Sequence, residues 1–185
     1  MKVNRRRVIV GVLALIVVLV GSFVAAPIVR VILFMEKTVR RAERGQKHLF
    51  FETDYQELLT ACRDLSRRAA SGDLKKCRYQ VFMGDRDAET FSFPQVILDL
   101  EPAFVTVQNG GVIWIELLPG PEWFSVVAFP DSREEWGNVK LIDGLWYHDS
   151  EYRDEYPDYM EMINALIEKG RQSRASREST QPRQP

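Results

Sequence analysis

Cys62 and Cys77 are the residues whose type most directly suggests covalent chemistry. They stand fifteen positions apart. Cys62 falls in the middle of a predicted helix, away from the helix N-terminus that would activate a thiol, so we expect no catalytic cysteine. Two interpretations stay open: a disulfide, if the domain lies in an oxidising compartment, or two small core residues.

An acidic run that begins at His148 offers the oxygen ligands that calcium prefers. Its carboxylates are Asp149, Glu151, Asp154, Glu155 and Asp158. The run lacks the spacing and the central glycine of an EF-hand loop, and carboxylates just before a helix are stabilised by its dipole. We expect no metal and no cofactor, because the sequence also has no nucleotide-binding, zinc-protease or serine-hydrolase motif.

The second half of the chain is rich in aromatic residues, which are common both in the cores of small sheets and at binding surfaces. In the predicted strand over 112–118, Trp114 and Glu116 share the face opposite Ile113 and Ile115. Because both faces are largely apolar, the second face is covered either by a helix or by a protein partner. The candidate binding surface consists of Trp114, Glu116, Trp123, Trp136, Trp146 and His148. Nucleic acid is a poor partner for it, because residues 51–185 are acidic overall.

The elements that carry these residues follow a strongly apolar segment. Val8 to Ala26 contains no charge and only one polar residue, Ser22. Residues 8–34 are long enough as a helix to cross a hydrocarbon core of about 30 Å. A cleaved signal peptide is the alternative; the length of the run and Pro27 directly after the small-residue site favour an uncleaved anchor. We therefore predict a single-pass segment in the lipid bilayer.

Basic residues flank this segment on both sides. Residues 1–7 form a basic flank with Arg5, Arg6 and Arg7, and residues 35–48 form a polar helical stalk whose basic residues include Arg40, Arg41 and Arg44. The stalk arginines either contact anionic headgroups, at about 1 kcal/mol each, or remain simply solvated. Because three consecutive arginines are costly to translocate, we expect the N-terminus in the cytoplasm and the domain outside it.

Residues 49–170 have the pattern of an α+β domain. Thr53 and Gln56 fit a capping box before a helix that closes at Gly72. About five strands follow as an antiparallel meander, with turns predicted at 109–111 and at Asp143-Gly144. A second helix, Pro157–Lys169, ends at Gly170, and the polar segment 171–185 is predicted to be disordered. Both helices are expected on one face of the sheet, in two layers.

These observations indicate where the domain is held more clearly than what it does. The function they favour is a membrane-anchored, non-catalytic domain that binds a partner or serves as a scaffold at the membrane surface. The alternative is a membrane-anchored enzyme whose site lies in the acidic, aromatic-rich second half. A formal net charge of −1 for all 185 residues does not discriminate between these classes.

Overall fold

A computed structural model describes residues 5–82, 86–118, 124–131, 139–150 and 156–180, with side chains described for those between 27 and 176. The chain divides into two compact units, Met1–Val39 and Arg40–Pro185. Helix α1, Arg5–Phe51, contributes to both. In the first unit, all side chains from Ile28 to Met35 are exposed, and Arg30 is the one basic residue among them.

No helix among the described side chains offers an apolar stretch long enough to cross a membrane. The run from Val8 to Ala26, on which the anchor prediction rests, lies outside those side chains.

The second unit begins within the predicted stalk, nine residues before the predicted domain start at Leu49. The last turns of α1 are part of its core: Ala42, Leu49 and Phe50 are almost fully buried. Gly45 lies so close to the backbone of Leu100 that a Cβ would overlap its carbonyl oxygen. Residues 35–48 therefore do not form one solvated stalk, because small residues, rather than an apolar stripe, let this helix approach its neighbours.

Helix α2, Tyr55–Ser71, forms where the apolar period predicts a helix. Its N-cap is Asp54 rather than Thr53, because the Asp54 carboxylate accepts hydrogen bonds from the backbone N–H groups of Gln56 and Glu57. The Thr53 hydroxyl instead donates to the carbonyl of His48 at the end of α1. Gly72 ends the helix in the left-handed conformation, at φ 89°.

Six strands form one fully antiparallel sheet, one strand more than predicted. The strands are β1 (Arg78–Gln80), β2 (Phe104–Val107), β3 (Ile113–Leu118), β4 (Phe124–Ala128), β5 (Val139–Ile142) and β6 (Leu145–Asp149). Their spatial order is β1-β2-β3-β4-β6-β5. Between β1 and β2 lie a 3-10 helix, Ala88–Ser92, and a single helical turn, α3 (Gln95–Leu98).

Both predicted hairpins are confirmed. Gly110 and Gly111, at φ 86° and 85°, join β2 to β3, and Gly144, at φ 84°, joins β5 to β6. The second hairpin inserts β6 beside β4, so that β5 becomes the edge strand. The result is an α+β fold, as predicted.

Helix α4 spans Pro157–Thr180 and therefore continues through Gly170, which the sequence analysis placed at its end. Gly170 is buried, and a Cβ there would overlap the carbonyl of Phe50. Arg174 donates a hydrogen bond to that same carbonyl and lies 4.1 Å from the ring centroid of Tyr55. Residues 171–180 are thus helical rather than disordered, and residues 181–185 lie outside the described part of the chain.

The main core lies between the helices and one face of the sheet. Leu58, Leu65, Ile115 and Leu145 are fully buried within it, with Ile163 of α4. The opposite face of the sheet carries its own small cluster of Val127, Phe129 and Trp146. This second face holds four of the six residues that the sequence analysis singled out as a binding surface.

Candidate functional site

Strand register brings four of the six candidate binding residues onto the second face of the sheet. Trp114 lies opposite Val127 of β4, which in turn lies opposite Trp146 of β6. One row further along, Glu116 lies opposite Ser125, and Ser125 lies opposite His148. Trp123 and Trp136 lie outside the described residues.

Glu116 is the charged centre of this face. It is only 8% exposed, and its two carboxylate oxygens accept hydrogen bonds from Arg78, at 3.0 Å from Nε and 2.6 Å from Nη2. The Thr106 hydroxyl donates a third hydrogen bond of 3.1 Å. The Arg78 guanidinium also stacks 3.6 Å from the ring centroid of Phe104. This fork pairing compensates a carboxylate that would otherwise be buried without a counter-charge.

The aromatic part of the face is only partly accessible. Trp146 is 9% exposed, whereas Trp114 and His148 are half-buried and their rings meet edge to face at 6.3 Å. Burial lowers the pKa of His148 below its usual value, although the nearby Asp149 opposes this shift. Burial therefore favours the neutral form of this imidazole. The accessible part of the face runs from Arg78 and Phe104 to Trp114 and His148.

Ser125 and His148 are a hydroxyl and an imidazole on adjacent strands, the pair of groups from which a nucleophile and its base can be built. The Ser125 side chain, however, is fully buried. Its Oγ has no hydrogen-bond partner among the described residues, and neither does Nε1 of Trp146. The structure therefore does not engage Ser125 and His148 as an activated pair.

The two cysteines are not joined by a disulfide in this structure. Cys62 faces the core from α2, whereas Cys77 is exposed in the segment just before β1. Burial raises the pKa of the Cys62 thiol to about 12, so it stays protonated and unreactive at neutral pH.

A buried polar network that the sequence analysis did not find joins three elements on the core side. Asp149, 1% exposed, accepts hydrogen bonds from the hydroxyls of Tyr147 at 2.8 Å and Tyr159 at 2.7 Å. Gln46 of α1 donates to the Tyr147 hydroxyl at 2.6 Å. Burial raises the pKa of Tyr147 well above its usual value. Asp149 thus ties β6 to α4 and, through Tyr147, to α1.

The rest of the acidic run is only partly described. Asp158 lies in the first turn of α4, as predicted, and residues 151–155 lie outside the described part. Within the residues that the structure covers, no three His, Cys, Asp or Glu side chains come together as a metal site.

The basic residues near the predicted anchor have separate environments. Arg40 is exposed and Arg44 pairs with Glu101 at 2.6 Å. Arg41 was expected to be solvated or to contact headgroups, but it is only 8% exposed, and its Nη1 donates a 2.6 Å hydrogen bond to the carbonyl of Phe82. The side chains of Arg5, Arg6 and Arg7 lie outside those described.

Comparison with models of protein families, with curated proteins and with solved structures finds no match to this chain. Function must therefore be argued from the site itself.

Proposed function

We propose that this protein is a single-pass membrane protein whose α+β domain binds a protein partner on the second face of its sheet. The observation that carries the proposal is the accessible aromatic edge: Phe104, Trp114 and His148 are half-exposed beside the Arg78–Glu116 ion pair. Aromatic side chains and arginine are the residues that dominate protein–protein interfaces.

The packing behind this edge favours a preformed surface. Val127 and Ser125 are fully buried beneath it, and Glu116 holds Arg78 in a two-point contact. Such side chains lose little conformational entropy on binding, because they are already ordered. An enzymatic role has less support, since the Ser125 hydroxyl is buried and bonds to no described residue.

Membrane attachment rests on the sequence of residues 8–34. A stretch rich in Val, Leu, Ile and Ala that follows Arg5–Arg7 and carries no charge before Arg30 is typical of an anchor whose helix satisfies its own backbone in lipid. On this basis the full chain should float with liposomes and resist alkaline extraction. A chain that begins at Met35 should stay in the soluble fraction, and its failure to do so would argue against the anchor.

Partner binding is tested by placing a photo-crosslinking amino acid at position 114 in the full chain, in its membrane. We expect a discrete adduct that depends on light. The matched control is the same amino acid at Glu161, an exposed position on α4, which should give none. Equal labelling at both positions, or none at 114, would contradict a specific partner on this face.

A further inference from the structure

The described part of the second unit exposes few large apolar side chains, and two of them are adjacent. Phe91 is 70% exposed and Phe82 is 41% exposed. The guanidinium of Arg86 lies between them, 4.2 Å from the ring centroid of Phe91 and 5.9 Å from that of Phe82. We call these three residues the Phe–Arg patch.

The exposure of Phe91 is built into an ordered segment. Its neighbour Thr90 is fully buried and donates a 2.6 Å hydrogen bond to the Asp87 carbonyl. Arg86 donates to both the hydroxyl and the carbonyl of Thr90 at 2.8 Å. Phe93 is buried against Tyr79, with ring centroids 5.4 Å apart. The backbone on both sides of Phe91 is thus fixed, and the Phe91 ring points outwards from it.

The patch is attached to the first turn of the second unit. Arg41 donates its 2.6 Å hydrogen bond to the carbonyl of Phe82, and its Nε and Nη2 have no hydrogen-bond partner among the described residues. The one described carboxylate that interacts with it, Glu101, is bound by Arg44. Part of the Arg41 guanidinium is therefore buried beside Phe82 without a hydrogen-bond partner among the described residues.

Chain connectivity limits how far this patch can lie from the predicted anchor. Arg41 follows Phe34 by seven residues. At no more than about 3.5 Å per residue, those residues span about 25 Å at most, whatever their conformation. The patch is therefore held within reach of the headgroup layer if residues 8–34 cross the bilayer.

We propose that the Phe–Arg patch docks on the headgroup layer of the same bilayer, with the phenyl rings entering the glycerol region and Arg86 facing lipid phosphate. This inference rests on the proposed anchor. Aromatic side chains favour the membrane interface, and arginine is attracted to anionic headgroups. Glu89 is the exposed acidic residue of the same 3-10 helix, and it opposes the attraction to anionic lipid, so the rings supply the main contact.

The test uses the full chain in liposomes that contain anionic phospholipid, with Cys77→Ser to remove the exposed thiol. Ala88→Cys, at an exposed position in the 3-10 helix, carries an environment-sensitive dye, and a lipid with a nitroxide headgroup quenches it. The control is the dye on Asn109→Cys, at the β2–β3 turn. The β2–β3 turn follows the end of β2 that is remote from Phe104. Phe104 pairs with Gln80 of β1, which lies near the patch, so the turn is the more distant position.

We expect several-fold stronger quenching at 88 than at 109, and Phe91→Ser should reduce the quenching at 88 to the level at 109. Equally weak quenching at both positions in protein that floats with liposomes would overturn the docking while leaving the anchor intact. Protein that fails to float would overturn both proposals.

Discussion

At the scale of single residues, the second face of the sheet depends on Glu116. A buried carboxylate is tolerated when hydrogen bonds and a counter-charge replace its water, and Arg78 and Thr106 supply both. Glu116→Gln keeps the shape but sets an amide N–H₂ group against the guanidinium. Hydrogen bonds to charged groups contribute about 1.5–3 kcal/mol, so we expect the free energy of unfolding to fall by about 2 kcal/mol.

Urea unfolding of the full chain in detergent micelles, followed by tryptophan fluorescence, measures this loss. The matched control is Asp143→Asn, which removes the exposed Lys140–Asp143 ion pair. That change should stay within about 0.5 kcal/mol, because exposed pairs contribute little. Similar losses for the two variants would show that Glu116 is not a buried charge that depends on its partner.

The sequence could predict part of this site. Strand alternation alone puts Trp114 and Glu116 on one face, away from Ile113 and Ile115. It could not bring Arg78 to Glu116, because their contact depends on the register of β1 on β2 and of β2 on β3. The opposition of Ser125 and His148 likewise required knowing that β4 pairs with β6, not with β5.

At the scale of elements, Gly170 shows that a glycine in a predicted helix can have either of two roles: it can end the helix, or it can allow a close contact with another element. In an open helix Gly→Ala stabilises by about 1 kcal/mol. Here a Cβ would overlap the Phe50 carbonyl at the end of α1. We therefore expect Gly170→Ala to destabilise the domain by about 1–3 kcal/mol, the usual cost of overpacking, which reverses the sign expected from helix propensity.

The same urea assay checks this sign. Lys169→Ala, at the exposed neighbouring position of α4, is the control and should change the free energy of unfolding by less than about 0.5 kcal/mol. A stabilising Gly170→Ala would mean that α4 does not pack against the end of α1 and that Gly170 lies in an open helix, where helix propensity alone decides the sign.

The elements whose signals are local could be predicted, and those fixed by close approach could not. The apolar period gave α2, and positive-φ glycines gave both hairpins. The predicted end of α4 was wrong because a glycine that ends a helix and a glycine that allows a close helix contact look the same in the sequence, and Gly170 is the second kind. The start of the second unit was missed because Ala42 and Gly45 mark a close backbone approach, which leaves no hydrophobic stripe in the sequence.

At the scale of the whole molecule, the two cysteines can report on which side of a membrane the domain lies if residues 8–34 cross one, as proposed above. Cys77 is exposed, whereas Cys62 is fully buried with a pKa raised to about 12 by burial. A membrane-impermeant maleimide should therefore label Cys77 alone until the domain unfolds. Labelling with and without prior reduction also tests for the disulfide that the sequence left open, because a bridged pair would react only after reduction.

The membrane orientation of the chain can be tested by changing the charge of the segments that flank residues 8–34. Arg5, Arg6 and Arg7 are adjacent, and keeping them in the cytoplasm places the domain outside, so Cys77 should be labelled in intact cells. Changing all three to Gln leaves the excess of basic residues on the other flank, from Arg30 to Lys47, and should protect Cys77 until the cells are permeabilised. Removing three charges far along the sequence from residues 8–34, at Lys169, Arg171 and Arg177, should leave the labelling unchanged. Protection of Cys77 in the unaltered chain, with or without reductant, would instead place the domain in the cytoplasm. The proposed docking of Phe82 and Phe91 would then be on the inner leaflet, and the anionic lipids of that leaflet attract Arg86 most strongly.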